Sequence, residues 1–115
     1  MNKDTKTYLI LGIIVIIIIS SIFIIKNYNQ GILNDKTAKC IAEKSVVYTQ
    51  TGCSHCETQK EILGDYYNLF TEINCLNEPE KCSEAGITGT PTWIINGKKF
   101  EGVQTIKKLK ESTGC

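Results

Sequence analysis

The sequence predicts an α/β domain behind a single membrane-spanning helix, in the order helix, then β-α-β-α-β-β-α. Three observations lead there. Residues 9–25 form an uncharged run built almost wholly of Ile, Leu and Val. Downstream of it, short β-branched stretches alternate with segments of helical period. Finally, Asn96-Gly97 stands between two such stretches, the strongest short-range signal for a tight hairpin.

The apolar run comes first. Seventeen residues in a helix rise about 25 Å, near the lower limit for crossing a bilayer core, and Tyr8 and Tyr28 flank the run where interfacial aromatics sit. A cleaved signal peptide has a shorter apolar stretch followed by a small-residue cleavage site. Here Phe23, Ile24, Ile25 and Lys26 follow Ser20 and Ser21, so an uncleaved anchor is expected. The division that follows is a cytoplasmic N-terminus over 1–7, a transmembrane helix over 8–26, a polar linker over 27–31 and a folded domain over 32–115. Charge does not orient the helix, because Lys3 and Lys6 on one side face Lys26, Lys36 and Lys39 on the other.

Within the domain, Leu33, Thr37, Cys40 and Ile41 recur at helical spacing and predict a short amphipathic helix over 32–43. Residues 45–49, Ser-Val-Val-Tyr-Thr, read as a buried strand. After Thr51-Gly52 come Cys53-Ser54-His55-Cys56 and then a run of good helix formers, with Cys56, Leu63 and Tyr67 on one face, so the cysteine motif opens a helix. A second strand is expected over 70–75, and Pro79 suits the first turn of a short helix closing at Ala85-Gly86. Strands over 92–95 and 99–100 flank the Asn-Gly turn. Val103, Ile106 and Leu109 give a last helix ending before Gly114. Trp93, Tyr48 and Phe100 fall in strands and are expected in the core.

Charge excludes one class of function. Beyond the apolar run, 11 basic residues balance 11 acidic ones, since the 13 and 12 of the whole chain lose Lys3, Lys6 and Asp4. No Arg occurs and the Lys are scattered, the pairs at 98–99 and 107–108 reading as solvated faces, so nothing supports nucleic-acid binding.

Cysteine carries the chemistry. Two Cys separated by two residues at a helix start are close enough to bridge, and the first lies where free N–H groups and the helix dipole favour negative charge. Cys53 is therefore expected to be a low-pKa thiolate that exchanges with substrate. Cys56, one turn inside, is expected to be more buried and to resolve the mixed disulfide. His55 between them is expected to stabilise the thiolate, and with it the reduced pair. A further signal lies at Gly89-Thr90-Pro91-Thr92, where Pro directly precedes a strand; with the upstream CxxC, a cis Thr90-Pro91 bond is the sharper reading.

CSHC at the start of a helix and GTPTW before a strand, in this element order over 45–114, resemble the thioredoxin-like superfamily. That resemblance implies a mixed four-stranded sheet flanked by helices, with Cys53 and Cys56 as the redox pair and Pro91, preceded by Thr90, as the cis proline beside it. The stretches CSHCETQKEILG, CLNEPEKCSEAGITGTPTWIINGKKFEGV and ESTGC, with Cys40 before the first strand, are similar to the domains that are fused to, or partner, homologues of vitamin K epoxide reductase. The likeness implies a quinone-linked membrane partner that supplies oxidising equivalents, passed on to cysteine-containing exported proteins. The four-helix quinone-handling bundle is not in this sequence, so such a partner is expected to be a separate protein. The family's departures matter too. Thioredoxin has Trp directly before its first active Cys and a buried acid six residues before it, where this chain has Gly52 and Val47. Ser54 replaces the Pro of strongly oxidising CPHC sites.

Four cysteines remain. Cys75 and Cys82 enclose a short segment and are expected to form a structural bridge, the alternative being a second redox pair relaying to Cys53 and Cys56. Cys40 and Cys115 then pair by elimination, one of fifteen arrangements that six cysteines allow. No cofactor is expected beyond the redox-active Cys53–Cys56 disulfide, and no metal. The rival from another class is a zinc module, with Cys53, Cys56, Cys75 and Cys82 as thiolate ligands and His55 in reserve. The rival within the class is a thiol reductase serving copper or haem-protein maturation. Orientation follows from chemistry: three bridges persist outside the cell and are reduced inside it, so the domain is expected to be extracytoplasmic on a single-pass cell-membrane anchor.

Overall fold

The computed structural model describes residues 1–115, apart from the side chains of residues 27–30. Two compact units divide the chain, Met1–Ile32 and Leu33–Cys115.

The first unit is one helix, α1 (Lys3–Gln30). Over Lys3–Lys26 it is long and apolar enough to cross a membrane, with a mean hydropathy of 3.1 and none of its apolar window buried in the protein. A signal sequence near an N-terminus meets the same test of length and composition. The linker expected over 27–31 and the interfacial role expected of Tyr28 fall, for residues 27–30, outside the described side chains; the α1 backbone runs to Gln30, so the change to polar composition at Asn27 does not end the helix.

The second unit is a mixed four-stranded sheet with helices, the thioredoxin-like α/β arrangement. Helix α2 (Asp35–Glu43) begins later than its apolar spacing suggested, because Asn34 accepts the Thr37 N–H and caps it. Strand β1 (Ser45–Thr49) leads to α3 (Ser54–Leu63), a 3-10 turn (Gly64–Leu69) and β2 (Thr71–Asn74). Gly64, at a φ of 56°, stops α3, so Tyr67 lies on the 3-10 turn and not on the helix face assigned to it from sequence. Helix α4 (Pro79–Glu84) has Pro at its first turn. Strands β3 (Thr92–Ile95) and β4 (Lys98–Glu101) are joined by Asn96 and Gly97, both at positive φ as a type I′ turn demands. Thr105 caps α5 (Ile106–Thr113), which leaves Val103 in the preceding loop.

Strand order is β2-β1-β3-β4, with β1 parallel to β2 and antiparallel to β3. That mixture positions everything that follows. The C-terminal ends of β1 and β2 emerge at the same edge of the sheet as the N-terminal end of β3, where Tyr48 pairs with Thr92. The loop after β1 and the loop before β3 therefore meet, although 37 residues separate Cys53 from Thr90.

Below this edge lies a core of Ile41, Val47, Leu63, Phe70, Trp93, Ile95 and Leu109, all buried. Trp93, paired with Val47 across the sheet, meets the Phe70 ring edge to face at 5.6 Å. Tyr48 is buried as well, and Phe100 packs half-buried against the cluster. Lys98, Lys99, Lys107 and Lys108 are exposed.

Candidate active site

Cys53 is the N-cap residue of α3, with extended backbone and a side chain that takes the place of the usual capping oxygen. Its Sγ accepts the Cys56 N–H at 3.1 Å. A sulfur so placed receives an N–H that the helix cannot pair internally and sits at the positive end of its dipole. Cys53 and Cys56 are joined as a disulfide, their Cα atoms 5.2 Å apart. The two cysteines are not equally accessible: Cys56 is 1% exposed, whereas Cys53 is only partly covered.

From the opposite side comes the loop before β3. Thr90 donates its hydroxyl hydrogen to Cys53 Sγ at 3.4 Å, and its carbonyl oxygen lies 3.5 Å from the same sulfur. The bridged sulfur has no proton to donate, so the second approach is a contact and only the first is a hydrogen bond. The Thr90-Pro91 peptide is cis and Pro91 is fully buried. Pro91 keeps its carbonyl satisfied through the Gly102 N–H at 2.8 Å, and Thr92 closes the turn by donating to the Gly89 carbonyl at 2.7 Å.

His55 stands exposed on the first turn of α3. Among the described residues it makes no hydrogen bond to either sulfur, so the structure gathers Cys53, Cys56, Thr90 and Pro91 and leaves His55 at the rim.

The remaining sulfurs form two further bridges, Cys75–Cys82 and Cys40–Cys115. The first borders the site. Cys75 donates its N–H to the Thr49 carbonyl at 2.8 Å, and the neighbouring Asn74 amide donates to the Thr51 hydroxyl at 2.9 Å. The second is remote, tying α2 to the chain end beyond α5. A zinc module would need Cys53, Cys56, Cys75 and Cys82 in one cluster; they lie in two separate bridges, and no group of three or more His, Cys, Asp or Glu gathers for a metal among the described residues.

Sequence reasoning missed two groups of polar residues. One is Gln59, fully buried on the apolar face of α3 one turn beyond Cys56, with the Gln104 backbone and the Trp93 indole as partners. In sequence it shows only as a helix-forming Gln on the face of Cys56 and Leu63, which says nothing of its distant partners. The other is Glu72, which accepts from the Thr49 hydroxyl and lies 3.7 Å from the Lys60 ammonium. Lys60 is also 5.4 Å from the centre of the Tyr67 ring, whose hydroxyl burial pushes well above its ordinary value. Strand pairing creates that second group, since Glu72 stands beside Val47 in the sheet.

A bridged cysteine pair whose outer sulfur is capped by a helix, with a second loop presenting a hydroxyl to it, is built to open and close a disulfide. The fold and the site together define a thiol-disulfide oxidoreductase. Among known proteins, the chain is 35% identical over 77 residues to thiol-disulfide oxidoreductase LTO1 of Arabidopsis thaliana, a match covering 59% of this chain but only 20% of that protein. It is 32% identical over 76 residues to thioredoxin of Methanocaldococcus jannaschii, covering 60% of this chain and 89% of that one. No family model matches. The chain belongs to the thioredoxin-like superfamily, and its relatives support a general thiol-disulfide oxidoreductase role.

Proposed function

We propose that this chain is a membrane-anchored, extracytoplasmic oxidoreductase that exchanges disulfides with exported proteins through Cys53, with Cys56 as the resolving thiol. One observation carries the division of labour: Cys53, the less buried of the two cysteines, is also the one whose sulfur is held by the Cys56 N–H and the Thr90 hydroxyl, while its partner is buried. Hydrogen bonds to a thiolate favour that form over the thiol.

In the oxidising direction a substrate thiolate attacks Cys53 Sγ. The Cys53–Cys56 bond breaks, Cys56 leaves as a thiolate, and a mixed disulfide joins Cys53 to the substrate. A second substrate thiol, after losing its proton, attacks the substrate sulfur of that mixed disulfide, and Cys53 departs as the thiolate that the helix and Thr90 stabilise. The substrate has lost two electrons, which the Cys53 and Cys56 sulfurs have gained, and its two protons pass to Cys56 and to solvent. Pro91 fixes the loop that presents Thr90, and His55 stands at the rim of the site.

The dithiol must then be reoxidised. The likeness of the motifs to domains working with vitamin K epoxide reductase homologues supports a quinone-linked membrane protein as that oxidant, with the α1 anchor holding both in one bilayer. Cys75–Cys82 and Cys40–Cys115 act as structural staples in this reading.

Two experiments test it. Protein carrying Cys56→Ser cannot release the mixed disulfide by internal attack, so cells expressing it are expected to accumulate adducts through Cys53 that contain both clients and the oxidant; a total absence of adducts contradicts catalysis by this pair. A thiol reagent that does not cross membranes, applied to intact cells after reduction, is expected to label the domain, whereas protection there reverses the topology.

A further inference from the structure

The hydrogen bonds of Gln59 close a ring through both halves of the site. Its Oε1 accepts the Trp93 indole N–H at 3.0 Å and the Gln104 backbone N–H at 2.7 Å, and its Nε2 donates to the Gln104 carbonyl at 3.0 Å. A carboxamide thus pairs with both backbone groups of one residue, which requires a donor and an acceptor side by side. Glu supplies no donor, and Asn falls a methylene short.

Gln104 belongs to the loop between β4 and α5, and its own side chain stiffens that loop by donating to the Glu101 and Gly102 carbonyls. Gly102 in turn donates to the Pro91 carbonyl at 2.8 Å. The ring runs from Cys53 through Cys56 along α3 to Gln59, across to Gln104, back to Gly102, over to Pro91 and Thr90, and from the Thr90 hydroxyl to Cys53 Sγ. Every link is a covalent bond or a hydrogen bond, and the loop over 102–104 braces the helix that carries the cysteines and the loop that faces them.

We propose that Gln59 is a positioning residue for disulfide exchange: by clamping α3 to the 102–104 loop it sets the approach of the Thr90 hydroxyl to Cys53, and so the balance between the disulfide and dithiol forms. The proposal rests on Cys53 being the exchanging sulfur. Its logic is differential. A hydrogen bond to sulfur gains most when the sulfur is a thiolate, so slackening the ring weakens the reduced form more than the bridged one. A residue that merely supports the fold stabilises both forms alike and leaves their equilibrium unmoved.

The test is equilibration of the full-length protein, in detergent, with a glutathione redox buffer. Gln59→Met, similar in volume but without the three hydrogen bonds, is expected to shift the Cys53–Cys56 equilibrium about tenfold toward the disulfide, a potential about 30 mV more negative. Truncation of Ile41, chosen to match the loss of Tm, is expected to leave it in place. Should Gln59→Met not fold, Gln104→Ala decides; it keeps the backbone groups that Gln59 uses but removes the side-chain bonds that stiffen the brace, with an expected shift of about threefold in the same direction. An unchanged potential in the variant that folds, or an equal shift in the Ile41 control, overturns the proposal. A wild-type pair that does not equilibrate with glutathione at all overturns instead the assignment of Cys53 and Cys56 as the redox pair.

Discussion

Protein carrying Cys53→Ser is expected to lose disulfide exchange by at least about a thousandfold while folding as well as the parent, because a hydroxyl is no substitute for a thiolate nucleophile but is a good helix cap. Both halves of the expectation come from the same position. Cys53 occupies the N-cap of α3, where its sulfur takes the Cys56 N–H, and serine is among the preferred residues there. The substituted hydroxyl therefore inherits the structural task and drops the chemical one. Cys56→Ser differs in kind. That side chain is 1% exposed, so a hydroxyl placed there must find a partner or cost roughly 1–3 kcal/mol. The two variants are thus expected to separate on two axes: Cys53→Ser inactive and stable, Cys56→Ser less stable and trapped as adducts. Turnover of a small disulfide peptide, with thermal unfolding on the same preparations, reads both. Exchange that survives in the Cys53→Ser protein and vanishes in the Cys56→Ser protein would invert the roles assigned to the two sulfurs.

What the sequence disclosed follows from how local each cause is. The β3–β4 turn was legible because Asn96 and Gly97 are the residue types that tolerate positive φ, and both adopt it. The start of α4 was legible in Pro79, and the start of α3 in the cysteine motif. Periodicity misleads where it continues past a local stop. Ile32 and Leu33 fit the spacing of α2, but the Asn34 side chain begins that helix after them, and Tyr67 fits the spacing of α3 although Gly64 has already ended it. Gln59 was illegible for a different reason. Its partners lie 34 and 45 residues away, so in sequence it was one more good helix former. Only the fold shows that the residue interrupting the apolar face joins two halves of the site. The Glu72, Thr49 and Lys60 group was hidden likewise, made by the register of two parallel strands.

Removing the Cys40–Cys115 bridge by paired Ala substitutions is expected to cost about 4.5 kcal/mol, against about 2.4 kcal/mol for Cys75–Cys82, from the loop entropy each returns to the unfolded chain. The difference lies in sequence separation, 75 residues against 7. Cys40–Cys115 encloses nearly the whole domain and anchors a chain end held otherwise by the Cys115 N–H on the Lys110 carbonyl and the Lys44 ammonium on the Thr113 carbonyl. Cys75–Cys82 closes a short excursion already fixed at its root by the Cys75 N–H on the Thr49 carbonyl. A small domain is stable by roughly 5–15 kcal/mol, so losing the outer bridge removes a large part of the total. Urea unfolding of both double variants under oxidising conditions measures the order, and a larger loss at Cys75–Cys82 would mean that strain or residual structure in the unfolded chain outweighs loop length. The same magnitudes bear on compartment. A domain that draws about 7 kcal/mol from two bridges is secure where thiols are oxidised and marginal where they are kept reduced, which supports the extracytoplasmic location proposed for it.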